Sequence, residues 1–191
     1  MSAAILPADS LRRKRFTRNE VDRMQELGIF DRQRCELIDG ELIDKAGQHP
    51  PHAQSIRNLV SALVGLFAPD RLLIQAPIEV RPGDSEWSLP EPDIAVLTEA
   101  RSEYRKRHPR GDELLLIVEV ADTSLGQDLT TKRDLYARAS VSEYWVLDLQ
   151  SRRLVVHRNP ADGEYRETAI LNEDDLASCS AQTIAVRELL P

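Results

Sequence analysis

At 191 residues, with 41% hydrophobic and 30% charged side chains, the chain has material for one full core and none of the bias of a disordered or fibrous protein. A net charge of −7 argues against coating nucleic acid by bulk electrostatics, and no apolar run nears a membrane span in length. Cys35 and Cys179 stand far apart with no partner at zinc-ligand spacing, which excludes a disulfide framework and a zinc finger.

The first residues, MSAAILPADSLRRKRF, put their basic side chains after a short apolar patch, the reverse of a secretory signal. A cytoplasmic, single-domain chain spanning 1–191 is expected, with 1–15 as a flexible arm. Thr17 and Glu20 form a capping box, and the helix they open should end at Gly28. CELIDGELI reads as a hairpin about Asp39-Gly40, the pair that suits a type I′ turn. In that register Ile38 opposes Glu41 and Glu36 opposes Ile43, so Glu36 and Glu41 share one face.

After His49-Pro50-Pro51-His52, AQSIRNLVSALVGLFA carries Ile56, Leu59, Val60, Leu63, Val64 and Phe67 at helical spacing. LLIQAPIEVR reads as a strand interrupted at Pro77, followed by the turn-rich PGDSEWSLPEP and a strand from Asp93 to Leu97. A basic segment with Arg101, Arg105, Lys106, Arg107 and Arg110 follows as a short helix or loop. Leu114 to Val120 has the continuous apolar character of a strand buried on both faces. Alternation places Leu115, Ile117 and Glu119 on one side of it and Leu114, Leu116, Val118 and Val120 on the other. Asp128 or Thr130 can cap a helix running to about Ala139, in which Lys132 and Tyr136 share the stripe begun by Leu129. SEYWVLDL and RRLVVHR are two strands joined by a short turn, and after a turn at Asp162-Gly163 the stretch TIAVRELL completes the edge of the domain. The order suggests a mixed α/β or α+β layer, a central sheet flanked by helices.

Two acids at the ends of apolar runs, Asp93 and Glu119, would each cost several kcal/mol, roughly, to bury without compensation. A divalent cation held by both, with Lys132 beside the reacting phosphate, turns that cost into chemistry. Plainer readings stand beside this one. Asp93 can simply start a strand, Lys132 can snorkel to solvent, and the basic segments can be solvated surface. Ser124, Thr130 and Thr131 have no base at a recognisable spacing, and there is no Walker loop or dinucleotide glycine fingerprint.

At these residues the sequence resembles the PD-(D/E)XK nuclease superfamily and, within it, the bacterial Uma family of restriction-endonuclease-like proteins. The resemblance runs from CELIDGELI through His52 and PDIAVL to IVEVADTSLGQDLTTKRDLYARASVSEYWVLDL. It implies a restriction endonuclease-like core with a central mixed sheet, and a metal-dependent endonuclease that hydrolyses DNA phosphodiesters. By that resemblance Asp93 and Glu119 match the metal-binding acids, the Val120 carbonyl is a further ligand, and Lys132 matches the catalytic lysine. Ala121 occupies the place two after Glu119 where the superfamily commonly carries that lysine, which here has moved to the helix. Glu41 and His52 match recurring positions that would assist the metal or its waters. The cofactor would be Mg2+, with Mn2+ as substitute, and the partners double-stranded DNA, gripped through Arg101, Arg105, Lys106 and Arg107, and a second copy of the chain. The alternative is a nuclease-fold module that binds nucleic acid or protein without cutting.

Overall fold

Thr17 and Glu20 do what their spacing requires. The Thr17 hydroxyl accepts from the Glu20 N–H at 3.2 Å, the Glu20 carboxylate accepts from the Thr17 N–H at 2.8 Å, and α1 (Arg18–Glu26) begins there. The computed structural model describes residues 13–30, 34–45, 49–180 and 182–191. Most of the expected arm therefore lies outside the described residues, and the part within them is tied down. Arg15 donates to the Asp39 carbonyl at 2.7 Å and its guanidinium lies 4.9 Å from the centre of the Trp87 ring.

The hairpin has the expected register. In β1 (Cys35–Ile38) and β2 (Glu41–Asp44), Ile38 opposes Glu41 and Glu36 opposes Ile43. Asp39 and Gly40 both take the positive φ of a type I′ turn, at 48° and 80°. A Cβ on Gly40 would also lie 2.8 Å from the Cβ of Arg15, so the position needs glycine twice over.

The helix α2 (Pro50–Val64) starts earlier than its apolar stripe, because proline fits a first turn whose N–H groups have no helical partner. Ile56, Leu59, Leu63 and Phe67 are buried as expected, whereas Val64 faces solvent. The next strand is shorter than its apolar run: β3 (Leu72–Ile74) stops where Gln75 turns left-handed, and Pro77 beyond it has no N–H to offer a ladder. Then come β4 (Ile94–Leu97) and β5 (Leu114–Ala121).

The expected faces of β5 need one correction. Val96 pairs with Leu116 but Leu97 with Leu114, so two residues of β5 answer one of β4. Beyond this bulge Ile117 and Glu119 keep their predicted side, while Leu114 joins Ile117 and Leu115 packs with Leu116 and Val118. The helical stretch after β5 also starts before Asp128. It runs as α3 (Leu125–Gln127), a wide π turn over Asp128–Lys132, and α4 (Arg133–Arg138). It forms the crossover that a parallel strand pair needs, and β6 (Glu143–Asp148) returns parallel to β5. β7 (Arg153–Ala161) and β8 (Glu164–Asn172) then add antiparallel strands.

The central sheet has six strands in the order β3-β4-β5-β6-β7-β8. Ile56, Leu59 and Leu63 of α2 pack with Val118, Trp145 and Val156 on one face; Leu135 and Tyr136 of α4 pack with Ile117, Tyr144 and Val155 on the other. The expected mixed sheet flanked by helices is the architecture observed. The sheet ends at β8, and the C-terminal segment forms a separate two-stranded ribbon, β9 (Leu176–Cys179) with β10 (Gln182–Ala185). No helix among the described residues is long and apolar enough to cross a membrane.

Candidate active site

The pairing of Ile94 with Val118 continues to place Asp93 beside Glu119, so two carboxylates from adjacent strands leave the sheet together. Asp93 Oδ2 accepts from the Val120 N–H at 2.9 Å, and His52 Nε2, on the first turn of α2, lies 3.2 Å from the same oxygen. Burial pushes the Asp93 carboxyl up, but His52, the Val120 N–H and Lys45 outweigh it and hold the group below its ordinary value.

The helical crossover supplies the cation. Across the π turn, Asp128, Lys132 and Tyr136 follow at intervals of four and face the sheet together. Lys132 Nζ donates to Glu119 Oε1 at 2.9 Å, and the Tyr136 hydroxyl donates to the same oxygen at 2.9 Å. Lys132 also lies 2.7 Å from Glu36 Oε1 and 3.8 Å from Asp128 Oδ1. Glu36 is fixed from behind by the Glu91 N–H at 3.0 Å, and Asp128 by the Ser124 hydroxyl at 2.6 Å. The lysine does not snorkel: its side chain is 5% exposed. Burial alone would lower its pKa, yet Glu119, Glu36 and Asp128 raise it far above its usual value, so it stays an ammonium.

Three buried carboxylates, Glu36, Glu119 and Asp128, thus converge on one ammonium, and a fourth, Asp93, lies beside Glu119. Burial pushes the Glu119 carboxyl above the usual carboxylate range, Lys132 opposes the rise, and Asp93, Asp128 and Glu36 add to it. Asp128 is raised as well, first by burial, and its Oδ1 has no hydrogen-bond partner. The described residues hold no ready-made cage of three or more His, Cys, Asp or Glu ligands. What they offer is a surplus of hard oxygen donors over positive charge, which suits a hard divalent cation at Asp93, Glu119 and the Val120 carbonyl.

These groups line one cleft of about 380 Å³, with Glu36, His52, Asp93, Glu119, Val120 and Lys132 on its wall. Five of the residues expected from sequence therefore meet. Glu41 does not join them. It shares the face of Glu36 but lies at the turn end of the hairpin, is exposed, and has Arg13 at 3.7 Å. Nor does the basic segment reach the cleft. It precedes Leu114, and Glu119 lies five residues on, roughly 16 Å along the strand. There Arg107 grips both oxygens of Glu113 at 2.7 and 2.8 Å, and Arg101 lies 3.8 Å from the same carboxylate. Arg105 and Lys106 are exposed. Besides Lys132, the lysine and arginine side chains that line the cleft among the described residues are Arg34 and Lys45, both paired with Glu91.

The participants that spacing did not single out are Asp128, expected only as a cap, and Glu36, noted only as the facial neighbour of Glu41. Alternation could have found Glu36; choosing between it and Glu41 needs to know which end of the hairpin meets the helix.

A structure described as a putative nuclease belonging to DUF820, from Anabaena variabilis ATCC 29413, superposes with a TM-score of 0.63 at 19% identity, covering 81% of this chain and 88% of that one. At that identity the likeness establishes the fold. None of the curated proteins compared matches the chain. The family model described as "Uma2: Putative restriction endonuclease" matches residues 19–186, nearly the whole length, and the chain belongs to that family.

Proposed function

We propose that the protein is a metal-dependent endonuclease that hydrolyses phosphodiester bonds of double-stranded DNA. The observation that carries this reading is the meeting of Asp93 and Glu119 at adjacent strand ends, with the Lys132 ammonium 2.9 Å from Glu119. Mg2+, or Mn2+ in its place, would be held by Asp93, Glu119 and the Val120 carbonyl. When bound, such an ion polarises the scissile phosphate and lowers the pKa of an attacking water.

The chain's own groups have separable tasks. The Val120 N–H and His52 fix one oxygen of Asp93, and Tyr136 fixes one oxygen of Glu119, so neither carboxylate must reorganise when it takes up a cation. Lys132 is kept charged by its three acidic neighbours. Its task is to donate: to the phosphate oxygens as negative charge develops, and to the water that attacks. Glu36 and Asp128 hold the ammonium at the place where that donation is made.

One centre cuts one strand, so cleavage of both strands would call for two copies related by a two-fold axis. Light scattering on the DNA complex that finds a monomer would count against that dimer. The second reading, a module that binds without cutting, draws on the saturation of Lys132 by three carboxylates, which leaves the ammonium little freedom to meet a phosphate. Incubation of supercoiled plasmid with the purified protein and Mg2+ or Mn2+, with EDTA as control, separates the two. Nicked or linear product that EDTA abolishes is expected; retarded but intact plasmid would favour the module.

A further inference from the structure

Gln75 closes β3 with a φ of 48°, in the left-handed region that a residue with a Cβ avoids. Of the seven non-glycine residues with such a φ among those described, Gln75 alone lines the cleft that holds Asp93, Glu119 and Lys132. Asp39, Arg152, Asp162 and Ser180 sit in turns between paired strands, Ser140 follows the end of α4, and Asn159 lies inside β7, all away from the cleft. Glycine would make the bend at Gln75 without strain, so the local fold gives no reason for a long amide side chain there.

The side chain has a specific partner. Gln75 Nε2 donates to Asp93 Oδ1 at 3.4 Å, and Gln75 Oε1 accepts from Arg34 at 3.3 Å. The Gln75 N–H donates to the Asp93 carbonyl at 3.0 Å, which locks the two backbones together. Asp93 Oδ2 is already taken by Val120 and His52, so Oδ1, which carries only the 3.4 Å contact from the Gln75 amide among the described residues, is the oxygen left to meet a ligand in the cleft, and that amide sets its direction.

We propose that Gln75 is a positioning residue of this site, its strained backbone retained because the amide aims Asp93 Oδ1 at the divalent cation. The proposal rests on the metal-dependent reading above. Its test compares Gln75→Gly with Gln75→Ala: both lose the amide, and only glycine relieves the φ. Mn2+ affinity is read from the free-ion electron paramagnetic resonance signal, and stability from melting curves without metal. Both variants should bind Mn2+ about tenfold more weakly than wild type, the scale of a lost ligand-orienting contact. Gln75→Gly should melt at or above the wild-type temperature, and Gln75→Ala below Gln75→Gly. Wild-type Mn2+ affinity in both variants would overturn the positioning role while leaving the metal reading intact. A Gln75→Gly protein that melts no higher than Gln75→Ala would overturn the strain argument. A wild-type protein that binds no Mn2+ would overturn the metal reading and this proposal together.

Discussion

Glu36 Oε1 lies 2.7 Å from Lys132 Nζ, so the first hairpin of the chain reaches across to grip the ammonium of the helical crossover. Glu36 is 4% exposed and Lys132 also 4%, which makes the contact a buried ion pair inside a cluster with more acid than base. The imbalance decides what each deletion does. Removing an acid relieves repulsion, whereas removing the lone ammonium leaves carboxylates without compensation.

Glu36→Gln should therefore unfold within about 1 kcal/mol of wild type, and Lys132→Met should lose roughly 3–5 kcal/mol. Urea denaturation at neutral pH, without added metal, measures both. A Lys132→Met chain as stable as wild type would show that the ammonium is not what compensates Glu119.

The basic segment gives a second contrast. Arg107→Ala breaks two charge-assisted hydrogen bonds to a nearly buried Glu113 and should lower the melting temperature measured by circular dichroism. Arg105→Ser and Lys106→Ser, at exposed positions, should leave stability unchanged. If DNA binds only at the cleft, none of the three changes DNA affinity; a weaker salt dependence of binding in Arg105→Ser would restore the segment as a phosphate contact.

His157 gives a pH dependence unconnected with the cleft. It is buried between Tyr144 and Tyr165, with Nδ1 2.9 Å from the Thr168 hydroxyl. Burial lowers its pKa from 6.5 to about 4, with Arg133 nearby adding to the effect. The unfolded chain protonates first as pH falls, so the stability His157 contributes is complete above pH 6.5 and drains away toward pH 4. Wild type should lose about 2–3 kcal/mol over that window relative to His157→Gln. Parallel stability curves for the two proteins across that range would contradict this.

Local chemistry made much of the fold legible in the sequence. The Thr17–Glu20 box, the Asp39-Gly40 turn and the apolar run of β5 each specify their own geometry within a few residues, and each appears as read. The errors arose where a distant partner decides. Leu114 changes face because β4 imposes a bulge, and β3 ends where Gln75 bonds back to Asp93. The site divides in the same way. Asp93, Glu119 and Lys132 follow from strand ends, helix period and family resemblance together. Glu36 could not be told from Glu41 by alternation, and the acids that bind Arg101 and Arg107 lie on segments whose approach no spacing encodes.

If the cluster at Asp93, Glu119 and Lys132 cuts DNA, the initial rate of plasmid nicking at saturating Mn2+ must depend on Asp93, with wild type and Asp93→Asn both shown to be folded by circular dichroism. Expected are a wild-type rate that EDTA abolishes and an Asp93→Asn rate at least about 10²-fold lower. Equal nicking by the two folded proteins would place the cutting elsewhere.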